Sequence, residues 1–360
     1  MTRFAFVIHP MDKFDVARKY PIAQYLPEGV VEAALRRKRP SVISKITGIV
    51  SRTGETTEGW FIGCPLTPRQ MVDRLPTEEV YHRIVQCAEI AAKEGAQLIG
   101  LGAFTSVVGD GGITIRKRSP IAVTTGNSYT VATAIQGTLK ACALLDMDVS
   151  QSTLAVVGAT GSIGRTCAKI LSQSFGRTLL IGRDFEKTSL VAAEIPGSEA
   201  SVNLQDISQA DAVVTVTSAE KEVIVPEFLK PGAVVCDVAR PRDVSVRVAK
   251  ERKDVLVIEG GIIKVPGDVN FNFNFGFPGN TAYACMSETI MLALEGNPAL
   301  FDFTLGKDVS VEQVEQISAL AEKHGFDLAD FRAFEEVVDQ QAIARARKAR
   351  ITSPTVARSR

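Results

Sequence analysis

The feature that most constrains this fold is a glycine-rich turn in residues 152–184, set between two apolar runs. The first run, residues 154–157, is long enough for one buried parallel strand, and residues 178–181 predict a second. A helical stretch at residues 165–173 separates them. The glycines of the turn are spaced by three: Gly158, Gly161 and Gly164. The order strand, glycine turn, helix, strand predicts an α/β fold with a Rossmann-type, doubly wound parallel sheet.

A turn of this kind binds the pyrophosphate of a dinucleotide. The first glycine permits a sharp turn with positive φ, the second lets the backbone approach the pyrophosphate, and the third lets the helix pack close to the strand. The phosphates then lie on the amides of the helix N-terminus. We therefore assign cofactor binding to seven consecutive residues: Gly158, Ala159, Thr160, Gly161, Ser162, Ile163 and Gly164.

The residue that follows the second strand indicates which cofactor is bound. Proteins that prefer NAD place an acid there, which binds the ribose diol, whereas an arginine suits the 2′-phosphate of NADP. Arg183 holds this position and favours NADPH, although an arginine can also be an ordinary solvated charge. A later buried run ends in Thr217 and Ser218, and we predict that Ser218 contacts the cofactor.

Length, charge and cysteine spacing limit the class of protein. The 360 residues are enough for about two domains. The formal net charge is zero, so no global field favours nucleic acid or a membrane surface. The six cysteines form no CxxC pair, which argues against a zinc site or a disulfide framework. The first apolar run is too short for a signal peptide or a membrane span, so we expect a cytoplasmic protein without a bound metal.

The chain before the glycine turn alternates apolar runs with helical stretches, which predicts a second α/β domain. Two of its strands end in short polar groups, at residues 105–106 and 124–127. Ligands of open α/β sheets lie at the carboxyl ends of strands, so Ser106, Thr125 and Asn127 are candidates for binding the substrate or the nicotinamide. The alternative is ordinary turn chemistry, because turns use the same residue types.

Residues 264–278 carry four phenylalanines at a period of two: Phe271, Phe273, Phe275 and Phe277. A strand with this pattern has all four rings on one face. Such a face is either an apolar wall for an acyl chain or a core-packing strand or loop.

Cys285 follows this segment, in a helix that we predict to be capped by Asn280 and to stop at Gly296. The second turn of that helix, where Cys285 falls, favours a thiolate through the amide dipoles, although a helical cysteine is more commonly a small buried residue. No neighbouring residue supplies a base. His9, at the end of the first strand, is either a catalytic base or a polar strand-end residue.

Five blocks together resemble the long-chain fatty acyl-[acyl-carrier-protein] reductases of cyanobacteria, from near the N-terminus to about residue 326. The blocks are residues 102–106, 124–127, 156–164, 260–261, and Ala284-Cys285 followed by residues 294–296. The glycine block is common to many families, whereas its combination with TTGN and ACxxE is far more specific. Residues 264–278 and the tail, residues 342–360, depart from the family's pattern.

The resemblance implies that the chain reduces a fatty acyl thioester to a fatty aldehyde with NADPH. It also implies that Cys285, at the position of the family's nucleophile, is catalytic and carries the acyl group. The implied partners are an acyl carrier protein or coenzyme A thioester and an enzyme that consumes the aldehyde, with no nucleic acid.

The expected organisation follows from the same observations. Residues 1–128 are predicted to form the substrate-binding α/β domain and residues 129–265 the NADP-binding Rossmann domain. Residues 266–345 are predicted to carry Cys285 and to pack back on the first domain, with one long helix at residues 311–349. Residues 346–360 are predicted to be a disordered tail.

Two other functions fit the same domain order. A shikimate/quinate-type NADP-dependent dehydrogenase also places a small α/β domain before a glycine-turn domain, but it uses Lys and Asp groups and no cysteine. A non-catalytic NADP-binding protein would bind NADPH and turn over no thioester. The reductase is our first hypothesis.

Overall fold

The computed structural model describes residues 1–219 and 221–352, which fall into two compact units. Unit 1 comprises Met1–Tyr129, Ile263–Asp308 and Glu315–Asp327. Unit 2 comprises Thr130–Ile262, Val309–Val314 and the chain from Leu328 onward. The C-terminal third therefore contributes to both units rather than to one.

Helices and strands alternate along most of the chain. Residues 1–144 contain β1 (Phe4–Ile8), α1 (Lys13–Ala17), α2 (Glu28–Arg37), β2 (Ser41–Val50), β3 (Thr56–Gly63), α3 (Thr77–Lys93), β4 (Leu98–Gly100), α4 (Phe104–Val107), α5 (Ile113–Arg118), β5 (Ala122–Thr124) and α6 (Asn127–Leu144). Residues 153–264 contain β6 (Thr153–Val157), α7 (Ser162–Leu171), β7 (Arg177–Ile181), α8 (Phe185–Ala193), β8 (Ser198–Ser201), β9 (Ala212–Thr215), β10 (Val234–Asp237), α9 (Val246–Glu251), β11 (Leu256–Glu259) and β12 (Ile262–Lys264). The remainder contains β13 (Gly267–Asn270), β14 (Thr281–Tyr283), α10 (Ala284–Glu295), α11 (Val311–His324), β15 (Asp327–Leu328), β16 (Arg332–Ala333), β17 (Glu336–Val337) and α12 (Gln340–Thr352). Within this described part of the chain, none of the helices has the length and apolar character needed to cross a bilayer.

Unit 1 is built on a six-stranded sheet in the order β13-β2-β3-β1-β4-β5. The four strands β3, β1, β4 and β5 are parallel, and β2 and β13 extend the sheet in antiparallel fashion. Residues 4–7 of β1 are completely or almost completely buried, as expected for a parallel strand covered on both faces. The sequence prediction of a second α/β domain is confirmed.

Helix α10 runs antiparallel to the parallel strands of unit 1. Thr289, in its second turn, lies directly against Gly100 at the carboxyl end of β4. Gly296, just beyond the helix, lies near Thr2, which precedes β1. The N-terminus of α10 therefore points toward the carboxyl edge of the sheet, the edge at which open α/β sheets bind ligands.

Unit 2 is built on six parallel strands in the order β8-β7-β6-β9-β10-β11. Counted from β6, this is the Rossmann order 3-2-1-4-5-6. The direction of strand addition reverses between β6 and β9, both of which are buried apolar runs. The predicted Rossmann-type doubly wound sheet is confirmed.

The four-phenylalanine stretch, for which the sequence left strand and loop open, is mostly a loop, because strand pairing with β2 covers only Gly267–Asn270. Two asparagine side chains bend the chain beyond that point. The side-chain oxygen of Asn270 accepts from the Asn272 amide at 2.8 Å, and that of Asn274 accepts from the Gly276 amide at 3.0 Å. These Asx turns compete with extended backbone, so the four rings do not lie along one strand.

The C-terminal helices also differ from their prediction. Gly325, at φ +84°, follows the end of α11, so a single helix over residues 311–349 is wrong. Residues 346–352, expected in the disordered tail, continue α12. The helix buries Ala346, and Arg347 Nε donates to the Leu144 carbonyl at 2.9 Å. The rest of the predicted tail, residues 353–360, lies outside the described residues.

A buried histidine ties α11 to β2 and α10 within unit 1. The His324 ring is completely buried, with Nδ1 2.8 Å from the Ser51 hydroxyl and Nε2 2.8 Å from a Glu295 carboxylate oxygen. Lys323 also pairs with Glu295, but its side chain is about half exposed. The two neighbouring residues therefore share a partner and differ in burial.

We expect His324→Leu to lower the free energy of unfolding of unit 1 by about 1–3 kcal/mol, because it leaves buried polar partners unpaired. Lys323→Leu is the matched control and should cost less than about 1 kcal/mol, because it removes an exposed ion pair. The only tryptophan, Trp60, lies in β3, so chemical denaturation followed by its fluorescence reports on unit 1. Equal losses in both variants would contradict a special role for the buried ring.

Candidate functional site

The glycine turn of unit 2 lies at the switch point of its sheet. Gly158, at φ +85°, follows β6, and a Cβ atom there would lie 2.6 Å from the Val216 carbonyl oxygen beyond β9. A Cβ atom at Gly164 would overlap the Gly158 carbonyl. Any side chain at these two positions would therefore push the turn away from β9 or the helix away from the turn.

The same turn presents backbone amides at the start of α7. Gly161 is the N-cap, and the first helical hydrogen bond runs from the Arg165 amide to the Gly161 carbonyl at 2.9 Å. The amides of residues 162–164 precede that bond and point out of the helix end. Thr160 and Gly161 are exposed, Ser162 and Ile163 half-buried, and Ala159 buried. This arrangement fits a dinucleotide pyrophosphate.

Arg183 follows β7 and Gly182 on the same edge of the sheet, and its side chain is exposed. Across residues 1–219 and 221–352 it forms no ion pair. The adjacent acid, Asp184, is the N-cap of α8 and accepts from the Lys187 amide at 3.1 Å. That hydrogen bond holds the pKa of Asp184 below its usual value. Asp184 thus caps α8, while the side chain of Arg183 remains available for a phosphate.

Ser218 lies in the exposed loop after β9, which a buried aspartate holds in place. The Asp243 carboxylate accepts from the hydroxyls of Thr215 and Thr217, at 2.6 and 2.5 Å, and from the Thr217 amide at 2.8 Å. Asp243 is completely buried. Its role was missed from the sequence because its partners lie more than twenty-five residues away along the chain.

A second buried aspartate ends β10. Asp237 accepts from the backbone amides of Ala239 and Val244, at 3.1 and 3.0 Å. Burial raises the pKa of Asp237 to about 6. Since these carboxylates stabilise the loops beside the switch point, their visible role is to shape the cofactor edge of unit 2.

In unit 1, Cys285 is the second residue of α10. The N-cap is Tyr283, because residues 281–283 form β14, so the prediction of an Asn280 cap with Cys285 in the second turn is wrong. Gly296 ends the helix at φ +63°, as expected. In the first turn, Cys285 lies closer to the positive end of the helix dipole than predicted.

Cys285 differs from the other five cysteines in its exposure. It is half-buried, whereas Cys64, Cys87, Cys142, Cys167 and Cys236 are all buried. Burial raises the pKa of both Cys142 and Cys236 to about 12, which keeps those thiols protonated. Cys285 is therefore the thiol best placed to react with a ligand.

Cys285 packs on residues 124–127, which we call the TTGN loop. Gly126, at φ +73°, lies so close that a Cβ atom there would overlap the Cα and Cβ atoms of Cys285. The structure thus brings together two sequence blocks separated by about 160 residues. Only glycine fits at position 126, both for its backbone angle and for this contact.

A buried carboxylate, Glu288, joins α10 to the TTGN loop. It accepts from the hydroxyls of Thr124 and Thr304, at 2.7 and 2.9 Å, from the Tyr129 amide at 3.0 Å, and from the Gly126 backbone. Burial raises the pKa of Glu288, although these hydrogen bonds oppose the shift. Sequence reasoning missed this role; the signal was an acid inside an otherwise apolar helix, which needs partners when buried.

The other nominated groups lie at or near the same edge of unit 1. The Ser106 hydroxyl donates to the Ala103 carbonyl at 2.7 Å, and the Thr125 hydroxyl donates to the Thr304 carbonyl at 3.3 Å. Asn127 is half-buried at the start of α6, next to Gly126. Of the three, Asn127 has the side chain least committed to the protein's own backbone.

His9 follows β1, and both of its ring nitrogens contact backbone groups. Nε2 lies 3.3 Å from the Phe104 amide and Nδ1 lies 3.2 Å from the Pro10 carbonyl oxygen. Burial lowers the pKa of His9 to about 4, so the ring is neutral at neutral pH. These contacts favour the strand-end interpretation over the catalytic base.

Comparison with known proteins adds to this geometry. The model of the shikimate/quinate 5-dehydrogenase family matches residues 141–259. The aminotransferase PigE of Serratia sp. is 30% identical over 360 residues, which cover 95% of this chain and 41% of PigE. The chain thus spans about two fifths of the length of that relative.

Two further proteins are similar over most of the chain. The long-chain acyl-[acyl-carrier-protein] reductase of Synechococcus elongatus is 25% identical over 327 residues, or 87% of this chain and 94% of the reductase. The crystal structure of L-tryptophan dehydrogenase from Nostoc punctiforme is 15% identical with a TM-score of 0.42, and covers 97% of this chain and 88% of that one. The glycine turn, the strand order and the family match together show a Rossmann-type domain of the kind that binds a nicotinamide cofactor.

We expect Glu288→Gln to loosen the TTGN loop, because the amide group faces hydrogen-bond donors that a carboxylate satisfied. The free energy of unfolding of unit 1 should fall by about 1–3 kcal/mol. Alkylation of Cys285 by iodoacetamide, followed by peptide mass mapping, should become faster as the loop moves. Glu79→Gln, which removes a partly exposed pair with Arg36, should change neither quantity by a comparable amount. An unchanged alkylation rate would argue against a role for Glu288 in holding the TTGN loop against Cys285.

Proposed function

We propose that this protein reduces a fatty acyl thioester to a fatty aldehyde with NADPH, through a covalent thioester on Cys285. The observation that carries the proposal is the position of Cys285: one partly exposed thiol in the first turn of α10, packed on the TTGN loop at the ligand-binding edge of unit 1. The similarity to the Synechococcus elongatus reductase, whose name states this reaction class, supports it.

The first step is acyl transfer to the protein. The helix dipole at the start of α10 favours the Cys285 thiolate, which attacks the thioester carbonyl. The carbon–sulfur bond to the carrier then breaks, and the carrier leaves as a thiolate that takes a proton from water. Covalent capture divides one difficult reduction into two easier steps and fixes the position of the carbonyl carbon.

The second step is reduction of the captured acyl group. Residues 158–164 and Arg183 would hold NADPH, and its chemistry would be the supply of a hydride to the carbonyl carbon. Cys285 then leaves as a thiolate from the resulting hemithioacetal, the carbon–oxygen double bond re-forms, and the aldehyde is released. The Cys285 thiolate is thus regenerated for the next cycle.

The negative oxygen that develops in both steps needs hydrogen-bond donors. We assign this role to the Asn127 side chain and to backbone amides of the first turn of α10. Ser106 and Thr125 would take part in substrate binding only by giving up their bonds to the Ala103 and Thr304 carbonyls. Burial of the TTGN loop limits the water that competes for these donors.

The proposal extends to partners and location. The acyl donor is an acyl carrier protein or coenzyme A thioester, and the aldehyde product calls for an enzyme that consumes it. Both would be met in the cytoplasm. The shikimate/quinate family match lies in residues 141–259 and includes no residue of the TTGN loop or α10. It therefore supports cofactor binding more than it supports a shikimate- or quinate-type substrate.

A mass measurement tests the covalent step. Incubation with dodecanoyl-coenzyme A without NADPH should add one acyl group to the chain, and peptide mapping should place it on Cys285. Cys285→Ala should show no adduct, and aldehyde formation should fall by several orders of magnitude, as when other nucleophiles are removed. Cys142→Ala, at a buried thiol, is the control and should still form the adduct. Near wild-type turnover by Cys285→Ala would overturn the mechanism.

The cofactor preference is tested at Arg183. Because a hydrogen bond to a charged group contributes about 1.5–3 kcal/mol, Arg183→Asp should weaken NADPH binding roughly ten- to hundredfold. NADH binding should improve, since the new acid can accept from the ribose diol. Arg247→Asp is the control, because this exposed arginine of unit 2 pairs with Glu227 and Glu251. Fluorescence titration with both cofactors gives the affinities, and an unchanged NADPH affinity would refute the assignment.

A further inference from the structure

We infer that the phenylalanine segment, residues 271–277, is the wall that binds the acyl chain, continued by Tyr283 and supported from behind by the buried ring of Phe61. It would select medium- and long-chain thioesters over acetyl thioesters. This inference rests on the proposed function, and it assigns a role to the part of the chain that departs most from the reductase family's sequence pattern.

The rings contact one another in a continuous row that ends at Tyr283. Phe61, completely buried in β3, contacts Phe275 with ring centroids 5.2 Å apart. Phe275 contacts Phe277 at 5.6 Å, and Phe277 contacts Tyr283 at 4.6 Å. Tyr283 is the N-cap of α10, two residues before Cys285. The row of rings therefore leads from the core of unit 1 to the helix end that carries the thiol.

The burial of the segment is that of a binding surface more than of a core. Phe273, Phe275 and Phe277 are only half-buried, whereas the asparagines between them, Asn272 and Asn274, are exposed. The segment borders a shallow space of about 350 Å³ that is open to solvent. A space of that size lies in the range that small ligands occupy.

The chemistry of the lining indicates what fills this space. Residues 269–279 contain no ionisable side chain, and the space is lined by four phenylalanine rings and by three asparagines, which are polar but uncharged. A phosphate-bearing carrier gains nothing from such a surface, because its charges need partners. An acyl chain does gain, since each buried methylene changes affinity about fourfold.

The segment is also held in place before any ligand arrives. The Ser44 hydroxyl donates to the Phe271 carbonyl at 2.8 Å, and the Asn272 side chain donates to the Lys45 carbonyl at 2.9 Å. Both hydrogen bonds join the segment to β2. A surface fixed in this way can bind an apolar chain without a large ordering cost.

The experiment measures acylation of Cys285 without NADPH, by intact mass over time, with acetyl-, octanoyl- and dodecanoyl-coenzyme A. The wild-type protein should react at least about tenfold faster with dodecanoyl- than with acetyl-coenzyme A at subsaturating concentration. Phe277→Ala and Phe275→Ala should each slow the dodecanoyl reaction about tenfold and leave the acetyl reaction unchanged. Phe14→Ala, at an exposed phenylalanine of unit 1, is the matched control and should change neither rate.

The outcomes separate the two proposals. Equal wild-type rates for all three thioesters would overturn the inference while the proposed function stands, and this result needs no variant to fold. Variants that slow all three reactions equally, with unchanged circular dichroism, would overturn it as well. Phe277→Leu keeps an apolar side chain and should retain most of the chain-length preference. No adduct with any thioester would overturn the proposed function and the inference with it.

Discussion

The arrangement of unit 1 around Cys285 depends on one buried carboxylate. Glu288 takes hydrogen bonds from two hydroxyls and from backbone groups of the TTGN loop and the start of α6. A buried acid without such partners would be strongly unfavourable, so the helix and the loop cannot separate without exposing unpaired polar groups. Because Gly126 has no side chain, the loop can then lie directly against Cys285. The position of the thiol thus depends on the hydrogen bonds of Glu288 and on the lack of a side chain at Gly126.

Unit 2 uses a similar combination of buried acids and glycines. Asp243 and Asp237 hold the loops after β9 and β10, and Gly158 and Gly164 allow the backbone of the turn to approach β9 and α7. Each buried aspartate accepts from several donors at once. The cofactor edge is therefore preorganised by the protein's own hydrogen bonds, which lowers the cost of ordering it around a ligand.

The elements of the fold that could be predicted from the sequence are those that depend on local residue patterns. The glycine turn, its flanking strands and the Rossmann order of unit 2 follow from residues that are close together in the chain. The roles of Glu288 and Asp243 were not predicted, because their partners are distant: Thr124 and Glu288 are 164 residues apart. In the phenylalanine segment the period of two was compatible with a strand, but the side chains of Asn270 and Asn274 each accept from the amide two residues later and bend the chain. In this segment the preference of asparagine for turns outweighs the strand that the alternating rings would allow, although both are local features.

The distribution of cysteines bears on how a reactive thiol is tolerated in this fold. Five thiols are buried, and for Cys142 and Cys236 burial raises the pKa far above neutrality, so they remain protonated. Cys285 alone combines exposure with the first turn of a helix, where the dipole favours the thiolate. The oxygens of Glu288, three residues later on the same helix, accept hydrogen bonds from Thr124, Thr304 and the TTGN backbone, which offset the cost of burying the acid. The same hydrogen bonds hold the TTGN loop against α10, so this buried acid contributes to the position of the thiol that the mechanism uses.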